Sequence, residues 1–346
     1  MAYTTIDDPF KFFNTVLYTG NATARTITGV GFQPDWVWGK IRSESQDHVA
    51  VDSVRGATKQ IYPSDNAGQQ TESQGLTGFA SDGFTVGTHA YFNKNTATYV
   101  AWNWLAGGSA SSNSDGDITA SVSANTTAGF SIVKYTGNAT NSTVGHGLGV
   151  TPQVLIVKNL DSTSSSAEHW RVQHHKVAAS KVLYLNQTNA EDTNNDFQST
   201  YPGTSTFSIS SADGCNKNGE ENIAYCFAEK QGYSKFGSYT GNGNADGAFV
   251  YTGFKPAFVI FKRTNGTGNW QLIDNKRIGF NVDNYTLYPN SNIADQDEND
   301  ADILSNGFKL RGTGTDGNGS GDTYIYMAFA ENPFVTSGTK AAGTAR

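Results

Sequence analysis

Apolar and polar residues alternate with a period of two along most of this 346-residue chain. In "ITASVSANTTAGFSIVKYTG" (118–137), Ile118, Ala120 and Val122 alternate with polar neighbours, a polar turn follows, and the alternation resumes at Phe130. Successive side chains on a strand point to opposite faces, so the pattern predicts strands with one buried face. Val16, Tyr18, Val37, Val51, Phe84, Val86 and Val100 fall in similar short runs bounded by Gly, Asn, Asp or Pro. A helical period is hard to sustain, because Gly, Thr and Asn interrupt it within about ten residues. "DGF" (82–84) and "NGF" (306–308) predict tight turns entering a strand, with the Gly supplying positive φ.

The strand pattern is triplicated. "YTGN" stands at 18–21, 135–138 and 239–242, and each copy is followed by a Pro with a Lys six residues beyond it. These stretches read "FQPDWVWGK" (32–40), "VTPQVLIVK" (150–158) and "FKPAFVIFK" (254–262). Next come "HVAVDSVR" (48–55), "WRVQHHK" (170–176) and "WQLIDNKR" (270–277), and each unit closes on an aromatic run, "YVAWNW", "NIAYCF" or "YIYMAF". Four blocks in one order, three times, are an internal repeat. A period of roughly a hundred residues exceeds a solenoid unit and matches a small domain. The predicted fold is all-β: three tandem antiparallel β-sandwich, jelly-roll-like domains, each with about six or seven strands. They span 1–107 with an N-terminal attachment segment, 108–231, and 232–346 with a C-terminal tail. "GGSASSNSDGD" (107–117) has linker composition, whereas the junction "AEKQGYSK" (228–235) is tight and predicts packing of the second domain on the third.

Pro34, Pro152 and Pro256 are expected where a strand begins, since a missing N–H costs no ladder bond there. The runs after them, "WVW", "VLIV" and "FVIF", are apolar on both faces. One face fits the sandwich core; the other calls for a neighbouring domain or a second chain, and a homo-oligomer, trimer first, is expected.

Charged residues make up only 16% of the chain, below the usual quarter, so the surface is built from neutral polar side chains. A net charge of −7 and no Lys/Arg cluster exclude nucleic acid as a partner. No apolar stretch is long enough for a membrane-spanning helix, and "MAYTTIDDPFKFF" lacks the basic and apolar regions of a signal peptide. Cys215 and Cys226 are read as small buried free thiols, a cross-strand disulfide being the alternative.

One column of the repeat carries candidate chemistry. His48, Trp170 and Trp270 are each followed four residues later by Asp52, His174 and Asp274. An aromatic ring beside a carboxylate suits a sugar, whose C–H face stacks on the ring while the acid accepts its hydroxyls. These six are the candidate glycan-binding residues, but four residues along a strand return to the same face, and the favoured reading is that the aromatic is simply core. Asp52 with Arg55 and Asp274 with Arg277 also read as local ion pairs in a turn, worth under about 1 kcal/mol if exposed. His174 and His175, adjacent on a strand, point to opposite faces and cannot share a metal. "DQDENDAD" (295–302) departs from a calcium loop, with Asp300 where Gly is required and Asn306 at the closing position. No nucleophile elbow, zinc motif or phosphate loop is present, so neither catalytic residues nor a cofactor is expected.

The repeated "YTGN", "HGLGVTPQVLIVKN" (146–159), "FASDGF" (79–84) and "YMAFAENPF" (326–334) together resemble bacteriophage virion proteins, specifically tail-fibre or receptor-binding-like proteins of marine phages and cyanophages. The resemblance implies a non-enzymatic structural protein of the virion, made in the host cytoplasm. Other virion proteins would be its partners, and host-surface glycan a contact. A capsid-surface decoration protein and a glycan depolymerase are the alternatives. Unit two departs from its own repeat, with His174 in place of Asp and no Arg three residues on.

Overall fold

A computed structural model describes residues 3–162, 168–277, 281, 285–298 and 300–336. Its sheets are antiparallel throughout, and the described helices are single turns such as Ala90–Asn93 and Asp213–Asn216. The second of these carries Cys215.

Each repeat unit contributes four adjacent strands in one order. In unit one the order is Phe13–Thr19, Thr98–Trp104, Trp36–Ile41, Val49–Asp52. In unit three it is Ser234–Thr240, Thr323–Pro333, Phe254–Arg263, Trp270–Asp274. Unit two has Phe130–Thr136, Glu221–Phe227, Val154–Asn159, Arg171–His174 as the middle of an eight-stranded sheet. The register also repeats. Trp36 lies opposite Trp104 and Asp52, Val154 opposite Phe227 and His174, and Phe258 opposite Phe329 and Asp274.

A smaller sheet covers one face of each large one: Arg25–Thr28 with Gly83–Val86 and Leu76–Ala80, then Ser142–Gly145 with Thr206–Ile209, then Phe249–Tyr251 with Gly307–Leu310 and Ala301–Leu304. Val37 and Val51 pack there on Ile27 and Phe84, Leu155 and Cys226 on Val144 and Phe207, and Val259 and Ala328 on Val250 and Phe308. Period two sends the intervening residues to the opposite face, and those faces meet one another. Trp36, Trp38, Trp102 and Trp104 join Ile132, Val154, Tyr225, Phe227, Phe258, Ile260, Met327 and Phe329 in one cluster drawn from all three units. Trp36 stacks on Tyr225 at 4.4 Å, Phe13 meets Phe258 at 5.6 Å and Phe227 meets Phe329 at 5.9 Å between ring centroids. Burying each such side chain contributes about 1.5–3 kcal/mol.

The doubly apolar strands are therefore covered within one chain, and they no longer supply a reason for a trimer of chains. The three units share a core, and the packing expected only between units two and three extends to unit one. Three local features also differ from their sequence reading. Ser111–Asn113, inside the linker-like stretch, pairs with Ala120–Asn125 as an edge strand. Pro256 lies within its strand at a bulge, where the shifted register spares the missing N–H. Gly307 is not left-handed, while Gly83 has φ +148°. What both turns require is space, since a Cβ on Gly83 would lie 2.0 Å from the Ile27 carbonyl and one on Gly307 2.0 Å from that of Val250.

Candidate functional site

His48, Asp52, Trp170, His174, Trp270 and Asp274 are brought to equivalent places, but none is more than 2% exposed. A glycan cannot reach them, so they are not the contact surface that their residue types suggested. Four residues along a strand return to the same face, and that face is the one buried between units.

What they do is close a ring. The Asp column of each unit meets the last strand of the next. Tyr225 of unit two donates its hydroxyl to Asp52 at 2.7 Å, and the Trp102 indole of unit one donates to Asp274 at 3.0 Å. In unit two the His174 Nε2 lies 3.3 Å from the Tyr326 carbonyl of unit three. The aromatic column runs the other way around. Trp170 donates to the Tyr62 carbonyl at 2.9 Å and Trp270 to the Tyr184 carbonyl at 2.9 Å. His48 accepts from Trp38 at 3.0 Å, and its other nitrogen sits beside the Tyr288 backbone without closing a hydrogen bond.

Tyr62, Tyr184 and Tyr288 are a further repeat column, in "IYPSDN", "LYLNQT" and "LYPNSN". Two residues on, Ser64, Asn186 and Asn290 accept from the backbone N–H of His48, Trp170 and Trp270 at 3.2, 3.2 and 2.8 Å. The sequence reading passed over this column, although aligning the three units reveals it.

Burial sets the electrostatics. The local pairs form, Arg55 reaching Asp52 at 2.5 Å and Arg277 reaching Asp274 at 2.6 Å, with both partners out of water, so the small value for an exposed pair does not apply. Burial pushes the Asp274 carboxyl up, but the Arg277 charge and its hydrogen bonds outweigh this and hold it below the carboxylate range. His174 is pushed down to about 3 by burial and by His175, and His48 is driven well below 6.5 by burial and by Lys40 and Arg277. The three repeat lysines are fully buried as well, Lys158 pushed down to about 7 and Lys40 and Lys262 to about 8, chiefly by desolvation. Lys158 donates to the Asn66, Asn159 and Glu168 carbonyls and to Ser162 at 2.8–3.0 Å.

The other sequence candidates are occupied by structural contacts. His175 bonds to the Phe236 carbonyl at 2.7 Å, apart from the partner of His174. Asp295 of the acidic stretch pairs with Arg42 and Arg277, Asp302 with Arg311, and Asp300 accepts from Thr286. Asn299 of that stretch lies outside the described residues. Cys215 and Cys226 are free and buried.

An accessible cleft of about 410 Å³ lies where the N-terminal segment crosses the start of unit three, lined by Tyr3, Glu229, Gln231, Lys235, Tyr251 and Thr252 among others. Tyr3 donates its hydroxyl to the Gly253 carbonyl at 2.6 Å, and Thr4 bonds to the Gln231 carbonyl at 2.6 Å. Gly253 has φ +81°, and a Cβ there would meet the Tyr3 hydroxyl at 2.7 Å and that of Tyr251 at 3.6 Å. Glu229 pairs with Lys235 at 3.0 Å and accepts from the Phe236 N–H at 2.8 Å. Among the described residues, no helix is long and apolar enough to cross a membrane.

No curated protein matches this chain. The family described as a domain of unknown function, DUF7483, matches residues 8–333 in one span that takes in all three repeat units. The chain belongs to the DUF7483 family.

Proposed function

We propose that this protein is a non-enzymatic structural part of a phage virion, a tail or fibre component built from three jelly-roll-like sandwiches in a single chain. The observation that carries the reading is the closed ring: three alike units join head to tail around one aromatic core, through contacts that recur at each junction. Such a body is stiff, has a neutral polar skin, and presents near-threefold geometry without needing three chains. Those properties suit a part that stacks on, or is held by, other virion proteins and meets a host surface. Burial of the aromatic and acidic columns directs their chemistry to cohesion, which favours a structural role over a depolymerase.

Antibody labelling of purified particles from the encoding phage tests the proposal. Label on the tail supports it, and label over the shell would favour the decoration protein. Absence of the chain from particles, or release of reducing ends from host polysaccharide by the purified chain, would overturn it.

A further inference from the structure

The repeat supplies its own control for the outer sheet edge. Ile27, Val144 and Val250 occupy one register position, opposite Phe84, Phe207 and Phe308. Their flanking residues point the other way, a side open to solvent in units one and three and covered by Asn113 over Gly145 in unit two. In unit one these are Thr26 and Thr28, in unit two Thr143 and Gly145, and in unit three Phe249 and Tyr251. The fold thus needs no ring at either place, yet unit three holds two in water, Phe249 at 48% and Tyr251 at 55% exposure. Phe249 lies over Gly307, where a Cβ would meet its ring at 3.2 Å, yet both rings stay largely in water where unit one has two threonines.

Tyr251 also walls the cleft with Tyr3, and there the chemistry is mixed. Glu229 and Lys235 neutralise each other, so no net charge selects an ionic ligand. Carboxylate oxygens, an ammonium group and two phenol hydroxyls offer acceptors and donors within one small volume. Burial and the neighbouring Tyr251 push the Tyr3 hydroxyl up to about 12, so it keeps the proton it donates to Gly253 and offers its oxygen as an acceptor. The volume of 410 Å³ falls in the range of about 300–1,000 Å³ usual for small-molecule sites. A stable protein interface wants about 800 Å² per partner with a dry apolar centre, which two rings beside a polar cleft do not provide.

We propose that the cleft and the two rings bind a neutral glycan. One pyranose face stacks on Tyr251, the chain continues over Phe249, and sugar hydroxyls bond to Glu229, Lys235 and the paired phenols. The site deepens the host-contact reading given above, but it is defined on the isolated chain and can stand without it.

Saturation-transfer NMR on the full chain, with neutral tetrasaccharides of β-glucose, α-mannose and β-galactose as probes, tests the site. At least one probe receives saturation from the wild type. Tyr251→Ala weakens its binding at least tenfold, Phe249→Ala several-fold, and Tyr251→Phe, which keeps the ring, less than about fivefold. Thr28→Ala, the equivalent position of unit one, changes binding less than twofold. All three positions border solvent, and an unchanged melting temperature certifies each of the four variants as folded. Saturation of no probe, or equal binding by Tyr251→Ala, overturns the proposal. If Tyr251→Ala abolishes particle attachment while no probe binds, the patch serves a protein partner and the glycan assignment fails. Particle labelling is independent of these outcomes: glycan binding by a chain absent from particles would sink the virion reading and leave the site intact.

Discussion

The junctions of units one and three each bury an Asp–Arg pair, while the same register position in unit two holds a neutral imidazole. Asp52 and Asp274 satisfy their oxygens with an arginine and one donor from the next unit. His174 needs only a carbonyl opposite it and the Lys176 N–H, which bonds to its Nδ1 at 3.1 Å. One backbone geometry accepts either solution, because what a buried junction demands is matched polar atoms, whatever their charge. The two solutions nevertheless differ in how they break.

The largest expected effect is the loss of one ion-pair partner. Arg277→Met leaves Asp274 buried with only the Trp102 indole and two backbone donors, and should cost about 3–5 kcal/mol. Arg277→Met combined with Asp274→Asn removes both charges and should recover most of that loss. Denaturant midpoints for the single and double variants decide the matter. If the single variant costs under about 1 kcal/mol, the pair is not a structural requirement, and the contrast with unit two disappears.

Acid should expose the difference next. The folded His174 titrates near 3 against about 6.5 unfolded, so the unfolded chain binds the extra proton between those values. Stability is then flat above about pH 6.5 and falls with acidification, by about 2 kcal/mol at pH 5 from this group. His48 acts in the same direction, whereas Asp274, held below its ordinary value, resists until the pH passes under about 4. His174→Gln should flatten the dependence of melting temperature on pH between 6.5 and 4; an unaltered slope would mean that this junction does not control acid lability.

Alkali should act on the lysines in the opposite sense. Lys158 folded loses its proton near 7, against about 10.4 unfolded, so the unfolded chain again holds more protons in that window. Stability should rise with pH from about 7 toward 10, and Lys158→Met should remove part of the rise in a pH series of denaturant midpoints. The smallest effect belongs to the surface: Glu221→Ala breaks a half-exposed pair with Lys134 and should shift stability by less than about 1 kcal/mol. A larger change would show that edge pairs, too, hold the ring.

The strand blocks, their order and the equivalence of Trp104, Phe227 and Phe329 were legible because period-two alternation and a threefold repeat are written in the residues themselves. The burial of Trp170 was legible as the core reading of its column, but the partner was not, since an aromatic beside a carboxylate reads alike whether it faces a sugar or the indole of Trp102. The exposed pair Phe249 and Tyr251 was hidden for the converse reason. Aromatic residues favour strands, so their presence there passed as ordinary strand composition until the equivalent threonines of unit one were set beside them.

By itself the sequence determined the all-β character, the number of units and which residues share a face, because alternation and turn chemistry act over a few residues. Only the tertiary structure decided which of two apolar faces meets a small sheet and which meets the other units. That choice depends on pairings such as Trp36 with Tyr225 and Phe13 with Phe258, made between residues far apart in the chain, and no local pattern encodes the partner of a face.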